Sequence, residues 1–154
     1  TIHKEVSGFH HEVIVIDCGG RDSKAFRSAI LASDYFIMPL KPSEPDIIST
    51  EQTLELYREL AETSSKEIKA ALLLNQVIAN PHVKLTVQAE NLVTEISKDY
   101  KIKLFSTKIY NRLAYQEAIG QGIGVAEAAG EKYRKASEEM ETFFNEVNRW
   151  TTSS

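Results

Sequence analysis

Short apolar runs alternate with longer amphipathic stretches along the chain. Mainly aliphatic or aromatic runs fill residues 13–16, 35–40 and 68–74, and a shorter run lies near residues 103–106. Such runs are typical of strands that are covered on both faces. Between them, apolar residues recur every three or four positions, which is helical spacing. The pattern predicts the α/β class: a mostly parallel sheet, built through β-α-β crossovers, with helices on both faces.

Capping residues and prolines give the predicted helix bounds. Asp22 or Ser23 is placed to cap the first helix. Ser43 and Asp46 resemble a capping box with Asp in place of Glu, which predicts a long helix to about residue 63. Further helices are predicted at residues 83–98, 111–119 and 125–150. We expect the last of these to pack on the sheet through an apolar stripe made of Ala126, Ala129, Tyr133, Ala136, Met140, Phe143, Val147 and Trp150.

Length and composition are those of an ordinary globular domain. The 154 residues are 42% hydrophobic and 26% charged, which predicts a single α/β domain over residues 1–154 with a substantial core. The apolar runs are too short to cross a bilayer, and no signal peptide opens the chain. The single cysteine, Cys18, fits a reducing compartment, so we expect a cytoplasmic protein, and the short polar segment at 151–154 disfavours a membrane role. The net charge of −4 gives no argument for nucleic-acid binding.

The ends of three predicted strands would lie along one rim of the sheet. They are Asp17 after residues 13–16, the proline-rich loop at 39–43, and Asn75 with Gln76 after the third strand. The carboxyl ends of parallel strands share one edge of a sheet, and open α/β sheets bind their ligands there. A carboxylate at this edge is suited to Mg²⁺, and a carboxamide can both donate to and accept from an adenine edge. The same residues also fit ordinary roles, with Asp17 capping the next helix and Asn75 forming a turn.

Four segments, in this order and spacing, resemble the ParA/MinD family of ATPases, which carry a deviant Walker A loop. They are residues 13–17, 32–43, 72–76 and 109–122, and they match the carboxyl-terminal two thirds of the family domain. Members of the family segregate plasmids and chromosomes or position cell machinery. The resemblance implies a P-loop NTPase-like fold and a dimer that sandwiches ATP and Mg²⁺. It also implies a centromere-binding, ParB-like partner and nonspecific DNA binding in the ATP state.

The resemblance assigns a role to each matching residue. Asp17 matches the Walker B aspartate that organises the metal, and Gly20 falls in the switch loop that senses the γ-phosphate. Asn75, followed by Gln76, stands where relatives such as the nitrogenase iron protein present an adenine-contacting asparagine. The segment that lies beside the base in the family, which we call the base-side segment, corresponds to Ile109, Tyr110, Asn111 and Arg112.

The chain departs from the family in its phosphate-binding loop. That loop ends Gly-Lys-Thr, and no Gly-Lys pair occurs in this sequence. Because its amides and lysines supply most of the electrostatic stabilisation of phosphoryl transfer, we predict that this chain alone is inactive. Gly120, Gly122 and Gly124 follow a helix and lack a lysine, which predicts a helix-ending turn. We therefore expect a fragment of a larger ATPase domain, whose exposed sheet edge favours self-association.

Other interpretations remain open. A nonenzymatic α/β interaction module, degenerate or truncated, would keep the fold and a partner surface without hydrolysis. A flavodoxin-like or receiver-like domain would need a cluster of acidic residues at strand ends, where only Asp17 and Asp22 occur. Two basic groups could contact DNA phosphates, although glutamates interleave the second and favour an ordinary solvated face. The groups are Lys98, Lys101, Lys103, Lys108 and Arg112, and Lys132, Arg134 and Lys135.

Overall fold

A three-stranded parallel sheet forms the centre of the computed structural model, which describes residues 2, 5, 8–19, 22–79 and 84–153, with the backbone alone at 84–86. The strands lie in the order β1 (Tyr35–Leu40), β2 (Lys69–Val77) and β3 (Lys103–Tyr110). The helices are α1 (Lys24–Ala32), α2 (Glu44–Thr63), α3 (Lys84–Asp99), α4 (Leu113–Gly120) and α5 (Glu131–Thr152). The predicted α/β class with a parallel sheet is confirmed.

Both faces of the central strand are covered, as its apolar sequence predicted. Leu72 of β2 packs in one core layer with Leu54 of α2 and Val93 of α3. Leu73, on the opposite face, packs in a second layer with Phe105 of β3 and with apolar residues of α5. Helices therefore lie on both sides of the sheet, which is the layering expected of parallel β-α-β units.

Local capping signals set several helix ends. Ser23 caps α1, because its hydroxyl oxygen accepts the Phe26 N–H at 3.1 Å. At the end of α4, Gly122 has φ 72° and its N–H donates to the Ile119 carbonyl at 2.9 Å, while a further N–H, from Ile123, reaches the Ala118 carbonyl at 3.2 Å. This pair of bonds is a Schellman motif, so the predicted helix-ending turn in the glycine-rich segment is confirmed.

Two element bounds differ from the prediction. The tail helix begins at Glu131 instead of residue 125, because Gly130 has φ 118° and ψ 152°, a conformation that no helix contains. Val125 is nevertheless buried, and it packs with Tyr133 beneath α4. The third described strand extends to Tyr110 instead of ending near residue 106, so half of the base-side segment belongs to β3.

Residues 13–16 do not form the predicted buried strand. Val13 is 79% exposed and Val15 is 86% exposed, and these residues take part in no strand pairing. A strand needs a neighbour to bond its N–H and C=O groups, and no strand lies beside residues 13–16 in the described part of the chain. Cys18 instead packs on an apolar cluster that includes Phe26 of α1 and Leu60 of α2.

Candidate functional site

The carboxyl ends of β2 and β3 lie side by side and form one polar rim. Val77 pairs with Tyr110, and the Asn111 N–H donates to the Val77 carbonyl at 2.9 Å. Asn75 and Gln76 are therefore neighbours of the base-side segment. The rule that parallel strands end at one edge predicted a rim that includes Asn75 and Gln76, whereas the base-side segment was expected beside the base only from the family resemblance.

The backbone of the rim is irregular at Gln76. Its φ is 53°, in the left-handed region, and the pairing of β2 with β3 shifts register between Leu74 and Val77. The Asn75 Oδ1 accepts the Gln76 N–H at 2.9 Å. A left-handed residue other than glycine costs about 1–2 kcal/mol, and such strain is concentrated at functional sites. The Asn75 carboxamide retains a second lone pair on Oδ1, so its capacity to bind a polar base edge is not used up.

The base-side segment is partly core and partly surface. Ile109 is buried against Phe105 and Leu73, so at the rim it can contribute only its backbone. Tyr110 and Arg112 are partly exposed and stack, with the guanidinium carbon 5.4 Å from the ring centre. Asn111 is exposed between them. The segment thus offers an amide and a flat ring-and-guanidinium surface, two features suited to a planar ligand.

A carboxylate from α5 anchors this segment. The Arg112 Nε donates to Glu139 Oε1 at 2.7 Å, and the Tyr110 N–H donates to Glu139 Oε2 at 3.3 Å. The Tyr115 hydroxyl lies 3.1 Å from the same Oε2 and 3.1 Å from the Ala136 carbonyl oxygen, so two acceptors share its proton. Burial raises the pKa of Tyr115, and the charge of Glu139 and its hydrogen bond raise that pKa further.

A second carboxylate of α5 accepts hydrogen bonds from the middle of β3. Glu146 accepts the N–H groups of Ser106 at 2.9 Å and Thr107 at 3.0 Å, and it pairs with Lys103 at 3.2 Å. Burial alone would raise the pKa of Glu146, but these hydrogen bonds outweigh it and lower the pKa to about 2. Glu139 and Glu146 are two helical turns apart, so α5 holds the outer edge of β3 at two points.

Sequence reasoning missed both glutamates. A signal for them exists, because each lies at the border of the predicted apolar stripe of α5. Glu139 immediately precedes Met140, and Glu146 immediately precedes Val147. A carboxylate beside a buried stripe must find hydrogen-bond donors when the stripe packs, and free N–H groups of an edge strand supply them.

An open cleft of about 470 Å³ lies beside the rim, between the starts of α4 and α5. Asn111 and Arg112 line one wall, and the first turn of α5 lines another. Ion pairs occupy many of the basic side chains here and elsewhere, so charge gives no support to the predicted DNA contacts. The pairs are Lys103 with Glu146, Lys108 with Glu90, Arg112 with Glu139, Lys132 with Glu117, and Arg134 with Glu131 and Glu138.

No described contact brings Asp17, the predicted metal ligand, to the rim, and Gly20 is the predicted γ-phosphate sensor. Asp17 is exposed, and Gly20 lies outside the described residues. In the described part of the chain, no three His, Cys, Asp or Glu side chains are grouped to hold a metal ion. Mg²⁺ is commonly bound by one or two carboxylates together with phosphate oxygens and water, so Asp17 fits only as a minor ligand of an ion held mainly by a nucleotide.

The layered fold and its rim define the chain as an α/β domain with a parallel sheet and helices on both faces. The sequence is similar to the maintenance of carboxysome distribution protein A of Halothiobacillus neapolitanus, with 27% identity over 139 residues, which are 90% of this chain and 61% of that protein. The fold is similar to that of Cyanothece McdA, solved in complex with ATP, with a TM-score of 0.64 and 19% identity. That match covers 79% of this chain and 45% of the McdA chain. No family model matches the chain.

These similarities confirm the resemblance to the ParA/MinD group that the four segments predicted. The chain spans about three fifths of the curated relative, 61% of its length. The relative is named for the distribution of carboxysomes, and nothing in its name concerns plasmids or chromosomes. No helix among the described residues is both long and apolar enough to cross a membrane.

Proposed function

We propose that this chain is the carboxyl-terminal part of a ParA-like ATPase domain that positions a large cargo in the cytoplasm. The observation that carries the proposal is the similarity to the carboxysome distribution protein, which runs over 90% of the chain. A protein assembly is the cargo that this relative favours, and a plasmid or chromosome is the alternative. The complete protein would bind ATP and Mg²⁺, dimerise and hydrolyse ATP slowly.

In this proposal, the residues of the rim recognise the adenine base of ATP. Asn75 would recognise the adenine edge, with Gln76 beside it, and Tyr110 to Arg112 would line the other side of the base. Support for this arrangement comes from the pairing of Val77 with Tyr110, which places the two segments next to each other. Asp17 would contribute to the metal, and Gly20 would sense the γ-phosphate. When bound, Mg²⁺ would neutralise charge on the phosphates.

Partners follow from the same proposal. A regulatory protein that stimulates hydrolysis, ParB-like in relatives that handle plasmids, would recruit the cargo. Nonspecific DNA would serve as the surface on which the ATP-bound dimer works. Lys132 and Arg134 are paired with Glu117 and Glu131, so their charges do not by themselves support DNA binding. A DNA-binding experiment is needed to test this part of the proposal.

The experiment uses the protein expressed from its own gene. We expect an intact mass above 17.3 kDa by roughly a hundred residues, room for a phosphate-binding loop and its strands. We also expect Mg²⁺-dependent ATP binding that Asn75→Ala weakens about tenfold, the loss of about 1.4 kcal/mol. Asn148→Ala, at an exposed site on α5, is the matched control and should bind as the unmodified protein does.

Two results would contradict the proposal. A protein of 17.3 kDa that binds no ATP would leave the nonenzymatic interaction module as the better explanation. ATP binding that is insensitive to both Asn75→Ala and Asp17→Ala would place the nucleotide away from both residues.

A further inference from the structure

We propose that Glu139 is a positioning residue that sets the base preference of the rim by holding Arg112 in place. The inference rests on the proposed function, because it concerns the nucleotide bound there. Glu139 lies on α5, 27 residues away from Arg112 in the sequence, and none of the motifs that carry the family resemblance includes it.

The geometry concentrates three donors on one carboxylate. They come from the end of β3, the loop that follows and the first turn of α4, and they are the Tyr110 N–H, the Arg112 guanidinium and the Tyr115 hydroxyl. The side chains of Arg112 and Glu139 are only 29% and 13% exposed, so solvent screens their pairing weakly. A single glutamate therefore fixes the chain direction and the side-chain rotamer of the base-side segment together.

The orientation of Arg112 depends on this contact. Nε and one terminal nitrogen both lie on Glu139 Oε1, at 2.7 and 2.5 Å, which aligns the guanidinium plane and neutralises its charge. The aligned group stacks 5.4 Å from the Tyr110 ring centre, and donors beyond those two remain for a ligand. Without Glu139, a long cationic side chain would sample several rotamers, and the flat surface beside the base would lose its donor pattern.

Glu146 provides a matched control on the same helix. It is also a glutamate with a mostly buried side chain, 10% exposed, and it also accepts backbone N–H groups of β3. Its contacts lie at residues 103–107, away from the base-side segment. Loss of either glutamate weakens the packing of α5, but only Glu139 touches Arg112. A difference between the two variants in base preference therefore reports positioning and not general stability.

The test measures the affinity of the full-length protein for ATP and for GTP, by competition with a fluorescent ATP analogue. In the unmodified protein we expect a preference for ATP. Glu139→Gln should lower the ATP-to-GTP preference at least fivefold, whereas Glu146→Gln should leave it within twofold of the unmodified protein. Arg112→Ala should reproduce the loss, and adding Glu139→Gln to it should cause no further change, because Glu139 acts through Arg112.

The outcomes separate this inference from the proposed function. Binding of ATP with an unchanged preference in Glu139→Gln overturns the inference and leaves the proposed function standing. Equal losses in Glu139→Gln and Glu146→Gln also overturn it, since they indicate a packing effect. Failure of the unmodified protein to bind either nucleotide overturns both. If Glu139→Gln does not fold, Tyr115→Phe removes one anchor of the same carboxylate and must lower the preference for the inference to hold.

Discussion

Glu146→Gln removes the negative charge that joins α5 to β3, and its cost can be worked from the structure. The contacts of Glu146 lower its pKa from the ordinary 4.5 to about 2. At about 1.4 kcal/mol per pH unit, this lowering corresponds to about 3 kcal/mol of folding stability at neutral pH. Glutamine keeps one acceptor oxygen for the N–H groups of Ser106 and Thr107, so we expect a loss of about 2–3 kcal/mol.

The direction of the pKa shift of Glu146 determines how the stability loss in Glu146→Gln changes with pH. Because the pKa of Glu146 is lower in the folded state, its contribution is fully present above pH 4.5 and is lost as the pH falls toward about 2. The difference in unfolding free energy between the unmodified chain and Glu146→Gln should therefore shrink by about 2 kcal/mol between pH 7 and pH 3, to about 1 kcal/mol or less. Other carboxylates also titrate in this range, but they titrate in both proteins and cancel in the difference.

Urea unfolding followed by tryptophan fluorescence is a suitable assay. Trp150, on α5, has its ring centre 5.4 Å from that of Phe105 and 5.0 Å from that of Tyr35, so its emission reports the docking of α5 on the sheet. Glu141→Gln, at an exposed site on the same helix, is the control and should change stability by less than about 0.5 kcal/mol. A loss below 1 kcal/mol in Glu146→Gln, or a loss equally large at pH 3 and pH 7, would refute the reasoning.

Two further predictions concern backbone conformation and are measured by the same unfolding assay. Gln76→Gly should keep or raise stability by up to about 1 kcal/mol because φ is 53°, whereas Gln76→Val should lower it by about 1–2 kcal/mol, and equal effects would contradict the left-handed assignment. Gly130→Ala should cost about 1–3 kcal/mol at φ 118° and ψ 152°. Gly120→Ala, in α4 with nothing within 4 Å of the added Cβ, should instead stabilise by about 0.5–1 kcal/mol, and a penalty like that of Gly130→Ala would count against the argument.

Sequence reasoning succeeded where the determining signals are local. The bounds of β1 and α2 follow from apolar content, from the proline at 42, and from Ser43 before a proline-containing first turn, although Pro39, which was expected to help stop the strand, lies within β1. The helix-ending turn at Gly122 is also local, because the left-handed conformation and two backbone bonds define it. The rule that parallel strands end at one edge predicted the place of Asn75 on the rim, whereas Tyr110 was expected beside the base only from the family resemblance.

The misses depend on contacts between distant parts of the chain. Residues 13–16 have the composition of a buried strand. A strand also needs a neighbouring strand that bonds its backbone N–H and C=O groups, and composition does not supply one. Glu146 and Thr107 are 39 residues apart, and Glu139 and Arg112 are 27 apart. Periodicity in α5 predicted which face is buried. It could not predict that two carboxylates at the border of that face would bond the edge of β3.

The two edges of this sheet differ in how readily each can accept another strand. At the outer side of β3, backbone N–H groups of Ser106, Thr107 and Tyr110 already donate to the two glutamates of α5, so these three donors are not available to an incoming strand. β1 has no strand on its outer side in the described part of the chain. Two copies joined through β1 would present only the blocked sides of β3 outward. Assembly through this sheet would then close as a symmetric pair instead of continuing into a fibre.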